Sequence, residues 1–435
     1  MSDARVAIVG GGASGTLQAL HLLRSGVEGI VLIERAHEPG RGVAYSTKRP
    51  EHLLNVPARR MSAYPDDPDH FLRWFAGHGG AAEDFAPRML YGDYLTSMIE
   101  AEGGRIETVR DEAVEAGGNR LRLAGGGSVG AETIVLAPGN FRPATPRGID
   151  PEKLGAFWVD DPWDGEFASG LGRSDTVLLL GTGLTAVDAI LTLDAAGFQG
   201  RIVAVSRRGL APRGHGAREP TVAPVGPLPS ACVPLLRRIR ARSGEIGWRG
   251  AVHELRTITQ DIWGSADDAE RRRFLRHLRP WWDVHRHKIA PAIFERIEAL
   301  RQSGKLVLGA ARLVSAEAAG DHASVELRAR GSDEVEAFRA ARILNCTGPE
   351  TDIVRSGEPL LKDLLGAGRI RQDRHRIGID VDRECRVIDS GGEASDSLYA
   401  IGPVTRGTFW ESVAVPDIRV QAQRVAERIA GTGSA

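Results

Sequence analysis

From Val6 to Val9 the chain runs without a polar residue, breaks into glycines, and resumes with apolar residues at helical spacing, Leu17, Leu20, Leu22 and Leu23. Such a short apolar run bounded by a turn predicts a strand buried on both faces, and the spacing after it predicts a helix packed on that strand. The same succession returns at Val177 to Leu180, followed by a second glycine turn and by Val187, Ile190 and Leu193. Two more apolar strands, TIVLAPGN at 133–140 and RILNCTGPE at 342–350, stand on either side of the second turn, each ending in a small residue and a glycine, Gly139 and Gly348. Near the C-terminus, Leu398 to Ile401 predicts a strand ending at Gly402, and Pro416, a residue favoured at the first helical position, predicts the start of a helix. MLYGDYL at 89–95 predicts a helix whose aromatic residues pack inward. Strands alternating with helices define an α/β class with parallel sheets.

The two turns carry chemistry. Gly10-x-Gly12-x-x-Gly15, with Ala13 and Ser14 between, has the spacing needed for a tight turn, close backbone approach to a pyrophosphate, and a helix N-terminus whose free N–H groups meet that anion. Glu34 ends the next strand 19 residues beyond Gly15, with Arg35 beside it. A carboxylate there accepts hydrogen bonds from a ribose 2′-hydroxyl and repels a 2′-phosphate. At the second turn, Gly181-x-Gly183-x-x-Ala186 encloses Leu184 and Thr185, and the following strand ends in Ser206, Arg207 and Arg208 with no acid. Guanidinium groups pair phosphate in fork geometry, so this site favours the 2′-phosphate that the first rejects. The expected ligands are therefore FAD at the first turn and NADPH at the second, since a nicotinamide delivers hydride only to an acceptor held almost in contact. The predicted architecture is two Rossmann-like dinucleotide-binding domains. The FAD domain is discontinuous, residues 1–165 and 340–435, and the NADPH domain, 166–339, is inserted into it and itself includes a helical insertion over 225–305.

Composition narrows the setting. The 435 residues carry 56 Lys and Arg against 57 Asp and Glu, so no global charge draws the chain to nucleic acid or to an anionic membrane. No apolar run approaches the length of a membrane span, and the first strand follows Met1 too closely for a signal peptide, which predicts a cytoplasmic protein. Cys232, Cys346 and Cys385 are isolated and suggest neither a disulfide framework nor a zinc site. Residues 270–288 hold seven Arg and Lys against two acids, interleaved with Phe274, Leu275, Leu278 and Trp282. This stretch reads as a solvated or internally paired face, or as a contact to an anionic substrate or the NADPH phosphate. Pro280 is expected to begin a new segment within it. His285 and His287, two apart, point to different sides of a helix, so no metal is expected.

The turns, the two small-Gly crossings and the final strand-loop-helix resemble the two-dinucleotide-domain flavoproteins, notably the NADPH-dependent flavin monooxygenases and, at a distance, their N-hydroxylating group. GRGVAYS (40–46), LLNVPARRMS (53–62), GTGLTAVDA (181–189), RPWWDVHRHK (279–288) and GPVTRGTFWE (402–411) are closest to a group of bacterial FAD/NAD(P)-binding proteins. The resemblance implies that the helix at Pro416 points its positive end at the flavin N1/C2 carbonyl edge. The loop at 40–65 then runs past the FAD, with Arg41 a pyrophosphate partner and Asn55 at the isoalloxazine edge. Arg406 and Trp410 are the expected walls of a substrate site, the first for an anion and the second for its apolar side, with Asp417 or Glu411 as alternative partners for Arg406 and core packing the alternative for Trp410. The implied activity is a monooxygenase that takes hydride from NADPH and uses O₂, activated at the flavin C4a position, to hydroxylate a small, anionic or amine-bearing substrate. A plain NADPH oxidoreductase and a non-catalytic dinucleotide-binding redox sensor remain as alternatives, and homo-oligomerisation stays open.

Overall fold

A computed structural model of the chain describes residues 2–36, 38–163, 165–216 and 226–431. Residue 225, where the helical insertion is expected to begin, lies outside them. The strand Ser2–Val9 pairs in parallel with Ile30–Ile33 on one side and with Ser128–Leu136 on the other. The eight-stranded sheet built on them runs in the order 386–388, 394–400, 128–136, 2–9, 30–33, 106–109, with the hairpin 113–117 and 120–123 attached to strand 128–136. Alternation along the central strand decides the layers: Val6 and Ile8 face the core formed with the helices Ala13–Arg24, Arg88–Ala101 and Val415–Ala430, while Ala7 faces the opposite core with Leu360, Leu361 and Leu364. Tyr91 and Tyr94 of helix Arg88–Ala101 are fully buried, as their spacing predicts.

The second sheet has seven strands in the order 335–340, 322–329, 306–319, 201–206, 176–180, 342–345, 158–159. Val177 and Leu179 pack on the helices Leu184–Ala195 and Pro291–Gln302, and Leu178 and Leu180 pack on the other side against Ala323, Val325 and Leu327. This strand membership shifts the expected boundaries. Trp158–Val159 and Arg342–Asn345 pair with each other in the second sheet, and Arg342–Asn345 also pairs with Val177–Leu180, so both belong to the second unit although the sequence expectation gave them to the first. The chain crosses between units at the segments after Leu136 and after Asn345.

The insertion consists of helices Cys232–Arg256, Thr259–Ser265, Asp268–Arg273 and Arg279–Arg286. A helix does begin beside Pro280, but not as a separate segment: Phe274–Leu278 forms a π turn that joins it to the preceding helix. Pro280 has no N–H to donate and its ring crowds the carbonyl one turn back, and a widened turn accommodates both. No helix among the described residues is long and apolar enough to cross a membrane.

Each glycine turn is seated on the neighbouring crossing strand. Gly10 has φ +102°, and a β-carbon there would lie 2.2 Å from the carbonyl oxygen of Ala137; Gly181 has φ +131°, and a β-carbon there would lie 1.9 Å from that of Cys346. Gly10→Ala and Gly181→Ala are each expected to destabilise the nucleotide-free protein by about 2–4 kcal/mol, through backbone overlap and strain together. Urea denaturation checks this, and a loss under 1 kcal/mol would mean that the seating is loose.

Candidate dinucleotide and substrate sites

At the first turn, Gly15 lies where a β-carbon would fall 1.8 Å from the Gly10 carbonyl, which brings the helix Ala13–Arg24 directly onto the turn. That helix begins at Gly12 in extended conformation, and no side chain caps it. Its first N–H groups are therefore left for a ligand, the condition an anion site requires. Glu34 is fixed at the strand end by two amides, Gly11 N–H to Oε2 at 2.7 Å and Ala36 N–H to Oε1 at 2.9 Å. A carboxylate at this position is an acceptor group, which is what a ribose diol requires.

The surrounding residues are placed as follows. Gly42 approaches Gly12 so closely that a β-carbon on it would lie 2.9 Å from the Gly12 Cα. Gly139, at φ +75°, has open space where a side chain would be. A β-carbon on Gly402 would lie 2.4 Å from Ser14 Oγ, so the C-terminal strand end rests on the first turn, and Gly402 N–H donates to Gln421 Oε1 at 2.8 Å. Pro416 stands in the first turn of helix Val415–Ala430, which also starts without a side-chain cap. Arg35 and Arg41 are differently occupied. Arg35 pairs with Glu358 at 2.7 Å and Glu112 at 2.9 Å, and Arg41 pairs with Asp93 at 2.6 Å and Glu38 at 2.9 Å. Neither guanidinium is held ready for a pyrophosphate.

The second turn repeats the first. Helix Leu184–Ala195 starts at an extended Gly183 with no side-chain cap, so Leu184 and Thr185 open it and Ala186 is buried at the third turn position. A β-carbon on Gly183 would meet nothing within 4 Å. Packing within the protein thus explains Gly181, whereas the space beside Gly183 is open. Ser206 is tied to the turn by the Thr182 hydroxyl, which lies 2.8 Å from Ser206 Oγ. Arg207 and Arg208 follow directly after strand Arg201–Ser206, and among the described residues neither has an ion-pair partner. Both turns therefore fit a dinucleotide, the first with a carboxylate at the ribose position and the second with two uncommitted arginines.

Part of the basic aromatic stretch is used within the molecule, as are the helices before it: Arg279 pairs with Asp283 at 3.4 Å and Arg271 Nε donates to Trp263 O at 3.0 Å. Trp263 donates its indole N–H to Gly407 O at 2.8 Å, and Gln260 donates to Thr408 O at 2.8 Å, which seats the insertion on the loop 402–412. Arg286 pairs with Glu411 at 3.0 Å and Arg256 with Asp417 at 2.7 Å. Arg406 takes neither acid as partner: its guanidinium lies 4.1 Å from the Trp410 ring centroid and 3.9 Å from Asp283, and burial, with Arg279 nearby, lowers its pKa to about 10. Trp410 is 1% exposed and packs with Trp263, Phe274 and Trp282, so it is core and not the wall of an open site. Asn55 lies on the loop before the short helix Ala58–Arg60, and its carbonyl accepts from His215 Nε2 at 3.0 Å.

Sequence reasoning missed a second group. Arg88 forms a buried ion pair with Asp188, and its guanidinium lies 4.8 Å from the Trp163 ring centroid. His52 Nε2 is 3.2 Å from Asp188 O and 3.0 Å from Thr192 Oγ1. The available signal was Asp188 itself, an acid among Ala186, Val187, Ala189 and Ile190 on an otherwise apolar helix.

Residues 7–141 match a family model described as FAD-NAD(P)-binding. No curated protein matches the chain by sequence. The fold of the whole chain is shared by several solved structures. It is similar to ornithine hydroxylase from Pseudomonas aeruginosa (16% identity, 99% of each chain covered, TM-score 0.68). An ornithine N-hydroxylase from Kutzneria sp. 744, whose structure holds reduced FAD, NADP⁺ and L-ornithine, is also similar (15% identity, 98% of this chain and 99% of that one, TM-score 0.69). Bacillithiol disulfide reductase from Bacillus cereus aligns less well (15% identity, 99% of each chain, TM-score 0.59). At these identities the likeness is one of fold.

The contrast between Gly181 and Gly183 is testable. Gly183→Val should leave the unfolding free energy of the nucleotide-free protein within about 1 kcal/mol of wild type. The same substitution should abolish NADP⁺ binding by calorimetry. Undiminished binding would show that nothing approaches the Gly183 backbone.

Proposed function

We propose that the chain is an FAD-dependent, NADPH-driven oxidoreductase and, within that class, a monooxygenase that hydroxylates a small anionic or amine-bearing organic substrate. The carrying observation is the pair of uncapped glycine turns that differ at the neighbouring strand end, Glu34 at the first and the uncommitted Arg207 and Arg208 at the second. Glu34, oriented by two amides, suits a ribose with free hydroxyls; the two arginines suit a 2′-phosphate. When bound, the flavin accepts hydride from the nicotinamide and supplies the reduced centre at which O₂ reacts.

The chain's own groups then have defined tasks. The first-turn N–H groups of helices Ala13–Arg24 and Leu184–Ala195 neutralise the two pyrophosphates, and the N-terminus of helix Val415–Ala430 offers positive potential where reduction places negative charge. The insertion, docked on the loop 402–412 through Trp263, Gln260, Arg256 and Arg286, covers this region and excludes water, which any oxygen chemistry needs to avoid losing its oxidant as peroxide. Arg406, buried, with Asp283 at 3.9 Å and no carboxylate in hydrogen-bond contact, is the residue we assign to an anionic group on the substrate; Trp410 beneath it is a packing partner.

Cysteine chemistry argues against a dithiol relay. All three cysteines are buried, and burial raises the thiol pKa of Cys232 to about 11 and of Cys385 to about 12, with Cys346 shifted in the same direction. None has thiolate character near neutral pH, so none is poised for disulfide exchange. The higher similarity to the two hydroxylases than to the disulfide reductase favours the same side.

Two measurements test the reading. Arg207→Ala with Arg208→Ala should weaken NADPH binding roughly tenfold to a hundredfold while leaving NADH nearly unchanged, because charge-assisted bonds to the 2′-phosphate are lost. An equal loss for both nucleotides would make the arginines structural. The FAD-loaded protein should be reduced by NADPH without air, and on admitting O₂ with a panel of amines, acids and sulfur compounds one class should lower the peroxide released per NADPH. Full conversion of O₂ to peroxide with every compound would replace the monooxygenase reading with that of a plain NADPH oxidoreductase.

A further inference from the structure

The loop 47–58 carries Asn55 and belongs to the first unit in sequence, yet its side chains and carbonyls are held from the second. On one side, His52 is 1% exposed and reaches helix Leu184–Ala195, the helix that opens at the second glycine turn. Its Nε2 faces a carbonyl, Asp188 O at 3.2 Å, which can only accept, so Nε2 carries the proton; Thr192 Oγ1 lies 3.0 Å from the same nitrogen. Nδ1 is then the acceptor for the Thr47 hydroxyl at 2.9 Å. This is the arrangement of a neutral imidazole with both nitrogens satisfied, and burial, which lowers the His52 pKa, acts the same way. Arg88, whose backbone N–H bonds His52 O at 2.8 Å, pairs with Asp188 on the same helix turn, and Trp163 stands edge-on to His52 and beneath Arg88.

On the other side, His215 follows the strand that ends at Ser206. Its backbone N–H bonds Ile289 O at 3.0 Å, the preceding Gly214 carbonyl accepts from Arg249 Nε at 3.1 Å, and its ring donates to Asn55 O at 3.0 Å. Two histidines thus bracket Asn55. One runs from the flavin-side loop to the helix of the NADPH turn, and the other runs from the segment after the NADPH-side strand back to the loop.

We propose that His52 and His215 are positioning residues for hydride transfer, fixing the loop that carries Asn55 to the second dinucleotide unit so that these two contacts hold the local spacing between the two nucleotide sites. The proposal rests on the NADPH-to-FAD reading above. Hydride transfer is steeply sensitive to the approach of donor and acceptor, whereas nucleotide affinity depends on the turns and on Arg207 and Arg208, which the histidines do not touch. The two quantities should therefore separate.

The test uses the FAD-loaded full chain with NADPH under anaerobic conditions. His52→Phe and His215→Phe keep a flat ring in place and remove the bonds. Each should slow flavin reduction at saturating NADPH by about tenfold to a hundredfold, the scale set by a displacement on the order of 1 Å, with half-saturation within about threefold of wild type and FAD content unchanged. His52→Gln, whose amide N–H can reach the Asp188 carbonyl, should restore the rate to within about threefold. Amide exchange of residues 49–56, followed without nucleotide, should accelerate in the Phe variants and return in His52→Gln. Unchanged reduction rates in both Phe variants, or rate and half-saturation falling together with loss of FAD, would overturn the positioning role while leaving the cofactor assignment standing. A wild type that NADPH cannot reduce would overturn both.

Discussion

In both units the chain can turn into its nucleotide helix only because a glycine sits against the last carbonyl of the adjacent crossing strand, Gly10 against Ala137 O and Gly181 against Cys346 O. The contact leaves no space for a β-carbon and fixes how far the Rossmann strand reaches beyond its neighbour. Where that strand ends decides where the helix starts, and hence where its unshared N–H groups point. The glycines two residues on, Gly139 at φ +75° and Gly348 at φ +89°, have open space beside them and answer instead to the left-handed backbone by which the crossing chain leaves the sheet. Ala137-Pro138-Gly139 and Cys346-Thr347-Gly348 are two solutions to one geometric problem.

The two units are placed relative to each other largely by polar contacts, with one apolar cluster around Trp410 beside them. Arg88 with Asp188, His52 with Thr192 and His215 with Asn55 join the units near the candidate sites, and Arg256 with Asp417 and Arg286 with Glu411 join the insertion to the C-terminal segment. Buried ion pairs are weak sources of net stability because desolvation offsets most of the attraction, but they penalise wrong pairings severely. The junctions combine such pairs and hydrogen bonds with one shared apolar cluster, Ile377 and Trp410 against Trp263, Phe274 and Trp282 of the insertion, while the other apolar cores lie inside the units.

The strands and helices that build each sheet were legible because their patterns are local: four apolar residues, a glycine turn, then helical spacing. Glu34, Ser206 and the arginines after it were legible for the same reason, as residues at a fixed position after a strand. What escaped was decided far away in sequence. Trp158–Val159 is too short to carry a pattern and is a strand only because Arg342–Asn345 lies beside it. Arg41 reads as a phosphate partner until Asp93 arrives from another segment, and Arg35, beside Glu34, is met by Glu358 and Glu112 from further away. Arg406 and Trp410 depend on an insertion more than a hundred residues earlier, whose Trp263 and Phe274 enclose Trp410 and whose Asp283 stands near Arg406 without closing on it. The π turn at Phe274–Leu278 was hidden because the stretch reads as helix up to Pro280, and a local sequence rule predicts a break there, not a widening.

The helices that follow Gly12 and Gly183 open at glycine turns with no side chain to accept their leading N–H groups, a need that serine, threonine or aspartate can meet for about 1 kcal/mol. At a glycine turn of this kind a phosphate can be the acceptor. Bound nucleotide phosphates would therefore complete the secondary structure, and any species that binds only the folded chain displaces the unfolding equilibrium by mass action. The resistance of such a protein to unfolding and degradation is then a function of nucleotide supply as well as of sequence, so its abundance is coupled to the concentrations of the molecules it binds.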